Sequence, residues 1–189
     1  QVVDVVCDAA GDIYATGEFS NSFTFDGQAV VAQGATDAVV LKVNSSGDLQ
    51  WMVRAGGTDL DRGVSISVRN GAVAVTGHYT GTADLFGTTF TSQGGTMDAF
   101  VAQLDAQTGA VQWVRSGGGA LYSDRSAGVA LAGNGDVLVT GEFKGTALFD
   151  ALSLTSMIDP LTLLPSFDVF VASYSNAGTL QWLQQGTAP

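Results

Sequence analysis

The segment Ile13-Tyr14-Ala15-Thr16-Gly17-Glu18-Phe19 returns as Val73-Ala74-Val75-Thr76-Gly77-His78-Tyr79 and again as Val137-Leu138-Val139-Thr140-Gly141-Glu142-Phe143. Each copy carries Thr-Gly with an aromatic residue two places later, and the glycines stand 60 and 64 residues apart. A second block, Asp37-Ala38-Val39-Val40, recurs as Asp98-Ala99-Phe100-Val101 and Asp168-Val169-Phe170-Val171. A third, Gly47-Asp48-Leu49-Gln50-Trp51, recurs as Gly109-Ala110-Val111-Gln112-Trp113 and Gly178-Thr179-Leu180-Gln181-Trp182. Three blocks in one order at similar spacing make the chain a threefold repeat, with units running roughly over 2–55, 61–116 and 124–186. One such unit cannot bury its apolar faces alone, so the units must stack.

Within a unit the text predicts four strands. In the second copy the first strand covers Val64-Ser65-Ile66-Ser67-Val68, and Asn70-Gly71 is the two-residue turn of a hairpin into the Thr-Gly strand. A Gly-rich connection follows, with room for a small hairpin at Phe86-Gly87, then the strand after Asp98, a turn at Gln107-Thr108-Gly109, and the Trp113 strand. The third strand is apolar on both parities: Phe100, Ala102 and Leu104 alternate with Ala99 and Val101. A sheet with one wet face would alternate apolar and polar residues, so each sheet is expected to lie between two others. The predicted class is all-β, a partial or open β-propeller of three four-stranded antiparallel blades in a single repeat domain. A β-solenoid is the fold alternative, though its coils are usually shorter.

Composition agrees. Twenty-five Gly against three Pro, with only 13% charged residues, suits short strands and tight turns. Sixteen of the eighteen acidic residues are Asp, which caps turn backbone where Glu reaches too far. The net charge of -11 would repel phosphate backbones and anionic lipid, so no nucleic-acid partner is expected. No apolar run reaches eighteen residues and the N-terminal text is not charged-then-apolar, so neither a membrane span nor a signal peptide is expected. One cysteine, Cys7, and one histidine, His78, exclude an internal disulfide and a Cys/His zinc site. Cys7 lies in the apolar run Val5-Val6-Cys7 and is expected to be buried.

The ordered blocks resemble the SBBP family, the bacterial seven-bladed β-propeller repeat. The resemblance rests on Asp61-Arg62-Gly63-Val64 and Asp124-Arg125 with Gly128-Val129, on Thr-Gly-x-aromatic, on Phe86-Gly87, on the Asp-Ala-Phe-Val block and on Gly-x-x-x-Trp. It implies an exported or cell-surface bacterial protein in which the repeat is a noncatalytic scaffold or adhesion-type module, extracellular in location. Two departures stand out: the first copy lacks the Asp-Arg pair, and the third carries an insertion over 157–167. A second resemblance covers 104–113, which looks like the tryptophan-docking motif of quinoprotein propellers, where the Trp of one blade packs on a turn of the next. In the other copies Asn44-Ser45-Ser46 and Ser175-Asn176-Ala177 break its pattern.

Four sets of residues are candidates for function. Trp51, Trp113 and Trp182 are expected to fill equivalent inter-blade sites rather than stack on sugar rings. Asp37, Asp98 and Asp168, with Arg62 and Arg125, read as turn caps or Asp-Arg pairs, with calcium the other reading. Glu18, His78 and Glu142 share one repeat position, where a glycosidase-like carboxylate pair would need separations of about 5–10 Å. The apolar insertion, with Leu161, Leu163 and Leu164, either folds over the blade edge or contacts another chain.

No residue is assigned a catalytic, cofactor or metal role, and no cofactor is expected. The leading expectation is a noncatalytic surface interaction or assembly module, with a protein or glycan partner. The alternative class is a PQQ-like quinoprotein or carbohydrate-active domain. Closed propellers typically use about four to eight blades, so three are expected to be part of a longer chain or, second, to self-associate.

Overall fold

The computed structural model describes residues 1–187. In the first unit β1 (Val2–Cys7) and β2 (Ile13–Phe19) form a hairpin, and β3 (Ser22–Phe25) and β4 (Gln28–Val31) form a second, small one. β5 (Asp37–Val43) and β6 (Leu49–Gly57) complete an antiparallel sheet ordered β1-β2-β5-β6. The second unit repeats this with β7 (Arg62–Arg69), β8 (Ala72–Thr80), the small hairpin β9 (Thr82–Leu85) and β10 (Thr88–Thr91), then β11 (Met97–Asp105) and β12 (Val111–Gly118). The third has β13 (Arg125–Leu131), β14 (Val137–Lys144), the hairpin β15 (Thr146–Phe149) and β16 (Leu152–Thr155), then β17 (Phe167–Tyr174) and β18 (Leu180–Gly186). The described residues are thus all-β, apart from one 3-10 turn over Gln93–Gly95, and every pairing between these strands is antiparallel.

The turns follow from residue chemistry. Asn70-Gly71 and Phe86-Gly87 both carry positive φ at the two central residues, the mirror-image turn that matches strand twist. Thr-Gly has a steric cause. The Thr16, Thr76 and Thr140 hydroxyls each donate to a carbonyl of the neighbouring strand, those of Val39, Phe100 and Phe170. Next to each, the first strand of the unit bulges inward, as the register breaks at Gly63/Ser65 and Ser126/Gly128 show. A methyl group on Gly77 or Gly141 would lie 2.6 Å from the Phe100 or Phe170 ring, and against the Arg62 or Arg125 carbonyl.

The sheets stack. β7 packs against β1 and β2, and β13 packs against β7 and β8. Polar links stitch these first strands: Asp4 accepts from the Ser65 hydroxyl and the Ile66 amide, and the Ser67 hydroxyl accepts from the Leu131 amide. Between the first two sheets, Tyr14, Val40 and Trp51 meet Ile66, Val75 and Phe100. Between the second and third, Val101 and Trp113 meet Val139, Phe143 and Phe170. Both parities of β11 are therefore buried, as its two-sided apolar pattern predicts. The small hairpins bind units together a second way. β9 extends the first sheet by pairing with Gly56 and Gly57 of β6, and β15 extends the second by pairing with Gly117 and Gly118 of β12.

The two outer faces differ. On the first unit, hairpin β3–β4 lays Phe23, Phe25 and Val30 over Phe19, Val39, Leu41 and Met52, closing a third core. On the third unit the bare side is the opposite one, which in the first two units faces the next unit: Val169 and Val171 of β17 are 53% and 38% exposed.

Cys7 is a correction. It is exposed, because no sheet covers the outer side of β1. Its thiol is expected to react stoichiometrically with a maleimide in the folded state, as mass spectrometry would show, whereas protection until unfolding would place another layer over β1.

Candidate functional site

The tryptophans mark the unit boundaries. Trp51 lies over the turn of the second unit, where its indole Nε1 donates to the Ala106 carbonyl at 3.1 Å. Gly109 closes that turn at φ +71, and any side chain there would meet the indole at 2.8 Å. Trp113 repeats the arrangement on the third unit: Nε1 donates to the Asn176 carbonyl at 3.0 Å, and Gly178, at φ +76, lies under the ring. Gln103 is buried beside it and links Trp113, Gln112 and Asn176 through its amide. Trp51 and Trp113 therefore fill inter-unit sites, and their faces cannot stack on a sugar. Trp182 departs from the expectation of equal burial. It is 40% exposed, and among the described residues no turn of another unit lies against it.

The strand-opening aspartates hold backbone amides. Asp37 accepts from Gln33 and forms an ion pair with Arg54. Asp98 accepts from Gln93, and Asp168 from Met157, Ser166 and Gln185. Asp61 and Asp124 are buried too, and accept from the Thr80 and Lys144 amides. Arg62 and Arg125 do not pair with these aspartates, so the Asp-Arg dipeptide splits its work, Asp inward and Arg outward. At the second junction no arginine offsets the charge, and Asp98 Oδ1 and Asp124 Oδ2 are buried without hydrogen-bond partners. Burial pushes Asp98 up to about 6; Asp124 is pushed up to about 7 by burial and, to a smaller degree, by the Asp98 charge. The pair is packed rather than vacant, since a methyl group on Gly118 would collide with Asp98.

Glu18, His78 and Glu142 come together with the two arginines at one end of the sheets. Arg62 stands directly across the strand pair from His78, and Arg125 directly across from Glu142. Arg62 Nε lies 3.8 Å from Glu18 Oε1 of the preceding unit, and Arg125 Nη1 lies 3.5 Å from Glu142 Oε1. Sequence reasoning missed this cross-unit row of charges, because only the stacking of β7 on β2 brings Arg62 to Glu18. Burial, then Arg125 and Arg62, hold His78 down at about 4, so its ring is neutral at ordinary pH.

The insertion projects outward. Asp159 caps its turn by accepting from the Leu161 and Thr162 amides, an isolated bridge joins Ile158 to Pro165, and Leu161 is 92% exposed. Among the described residues no helix is long and apolar enough to cross a membrane, and no group of three or more His, Cys, Asp or Glu is placed to hold a metal ion.

None of the protein-family models matches the chain. The chain is similar to the regulatory protein FlaEY of Caulobacter vibrioides, 33% identical over 148 residues, which is 74% of this chain and 15% of that protein. It thus spans a small part of that relative's length.

Proposed function

We propose that the chain is three blades of an SBBP-type β-propeller and serves, outside the bacterial cell, as a noncatalytic assembly or interaction module. The observation that carries this reading is the mismatch between the two ends of the stack. Each of the first two sheets is extended by the small hairpin of the following unit and covered by that unit's core. Among the described residues the third sheet has neither: β18 pairs only with β17, and Val169, Val171 and Trp182 are open to solvent. At the opposite end hairpin β3–β4 stands as a sheet of its own, without the strand that β9 finds in β6. A bare strand edge beside an apolar face is a template for a further strand. A further unit of the same repeat supplies both parts, a hairpin for β18 and a turn for Trp182, so the module works by joining units. The sequence similarity to one stretch of a much longer regulatory protein is compatible with a module inside a larger chain.

The test is sedimentation of the chain across concentration. Reversible self-association is expected, with the double variant Val169→Glu, Val171→Lys monomeric at an unchanged melting temperature. A chain that stays monomeric up to about 100 μM, where contacts of micromolar affinity would be saturated, contradicts the reading. So does association that the double variant leaves intact. Turnover of a glycan, or of an alcohol after reconstitution with a quinone, would move the protein to the enzyme class instead.

A further inference from the structure

The ends of the sheets that carry the Arg62–His78 row enclose a cleft of about 350 Å³, whose lining includes the carboxylates Glu18 and Asp61, the basic residues Arg62 and Arg125, the neutral His78, and the apolar Leu60 and Met97. That volume lies at the small end of ordinary ligand sites. Two of the seven basic residues of a chain with net charge -11 converge on it. We infer that this cleft is a binding site for a small organic acid, whose carboxylate sits between the guanidiniums of Arg62 and Arg125 with its apolar body against Leu60 and Met97.

The geometry supplies the reason. Neither arginine is fully paired. The Arg62–Glu18 approach is too long for a hydrogen bond, and Arg62 Nε is buried without a partner, as is His78 Nδ1. Unmet donors in a half-buried cleft call for an acceptor, and a carboxylate offers guanidiniums two oxygens at once. The second observation is the break in the repeat at His78. In the first and third units the position is Glu, and each of those carboxylates lies beside an arginine. In the second unit the neutral imidazole stands where a carboxylate would complete the row, between Arg62 across the strand pair and Arg125 of the next unit. The ligand replaces that missing carboxylate. Leu60 is exposed and Met97 half-buried beside it, so an aliphatic chain leaving the carboxylate meets apolar surface.

The site is separate from the open face of the third unit, so loss of self-association and loss of acid binding are independent results. The experiment titrates 4-methylpentanoate, and in parallel its neutral amide, into the protein at about 0.15 M ionic strength, reading the side-chain N–H resonances of Arg62 and Arg125 by NMR. Saturable shifts at both arginines with the acid, and none with the amide, are expected. His78→Glu, which restores the residue of the sister units, and Arg125→Gln should each weaken binding by at least about tenfold, the scale of one charge-assisted hydrogen bond. Equal responses to acid and amide, shifts that never saturate, or unchanged affinity in Arg125→Gln would overturn the assignment. Arg125 is half-exposed, so that variant decides the matter even if His78→Glu does not fold.

Discussion

Replacing Trp113 with Ala is expected to lower the stability of the protein by about 3–5 kcal/mol, against roughly 5–15 kcal/mol for a whole domain. The ring is buried between the second and third sheets, tilted against Tyr174 with centroids 5.8 Å apart, and lies over Gly178. Its removal opens a cavity at the junction and strips a donor from both Gln103 and the Asn176 carbonyl. For a chain of this size the loss corresponds to a fall in melting temperature of about 6–20 °C. Trp182→Ala, at the same repeat position but without a turn to dock on, should cost under about 1 kcal/mol, as is usual away from a core. Thermal unfolding of the two variants side by side checks the pair. Equal losses would mean that the three tryptophans are equivalent and that the third unit is not open.

Stability should also fall as the pH is raised from about 5 to 8. Asp61, Asp98 and Asp124 are held at about 6, 6 and 7, chiefly by burial, against 3.8 for an ordinary aspartate. A folded-state value above the unfolded one means that the native chain keeps protons the unfolded chain releases. The resulting stabilisation is complete below about pH 4 and is lost as pH rises through 6 to 7. Each carboxylate contributes on the order of 3 kcal/mol. His78, depressed to about 4, opposes this by costing stability as pH falls from 6.5 toward 4, but one group stands against three. Asp12, drawn below its ordinary value mainly by its hydrogen bond to Lys42, acts in the other direction in stronger acid, as do Asp105 and Asp159, lowered by hydrogen bonds within their turns. The melting temperature should therefore peak near pH 4. Asp124→Asn, whose amide oxygen can still accept from Lys144, should flatten the profile while leaving the pH 4 value little changed. A profile that rises toward pH 8 would show these carboxylates to be ionised and paired.

Much of this arrangement is legible in the text because it is local or repeated. The hairpin turn at Asn70-Gly71 needs only two residues able to take positive φ, and the two-sided apolar pattern of 99–104 needs only a strand with sheets on both sides. The role of the strand-opening aspartates as amide acceptors follows from the reach of an Asp side chain. What the text does not carry is which repeated position lacks a neighbour. Cys7 and Trp182 have the apolar surroundings of buried residues, yet each is exposed where the stack leaves a surface bare. Likewise Glu18 and Arg62 lie 44 positions apart and meet only because β7 packs on β2. The insertion gives no periodic signal, and that Leu161 and Leu163 turn outward is visible only in the structure.

In the stacked arrangement Trp51 and Trp113 dock on the turn of the following unit, and Trp182 is left undocked. The most direct measurement is hydrogen exchange of the three indole N–H groups by NMR, together with their nuclear Overhauser contacts. Trp51 and Trp113 should exchange slowly and show contacts to Gly109 and Gly178 respectively, while Trp182 exchanges fast at concentrations where the chain is monomeric. Three indoles exchanging alike, or contacts from Trp113 only to its own unit, would contradict the stacked arrangement.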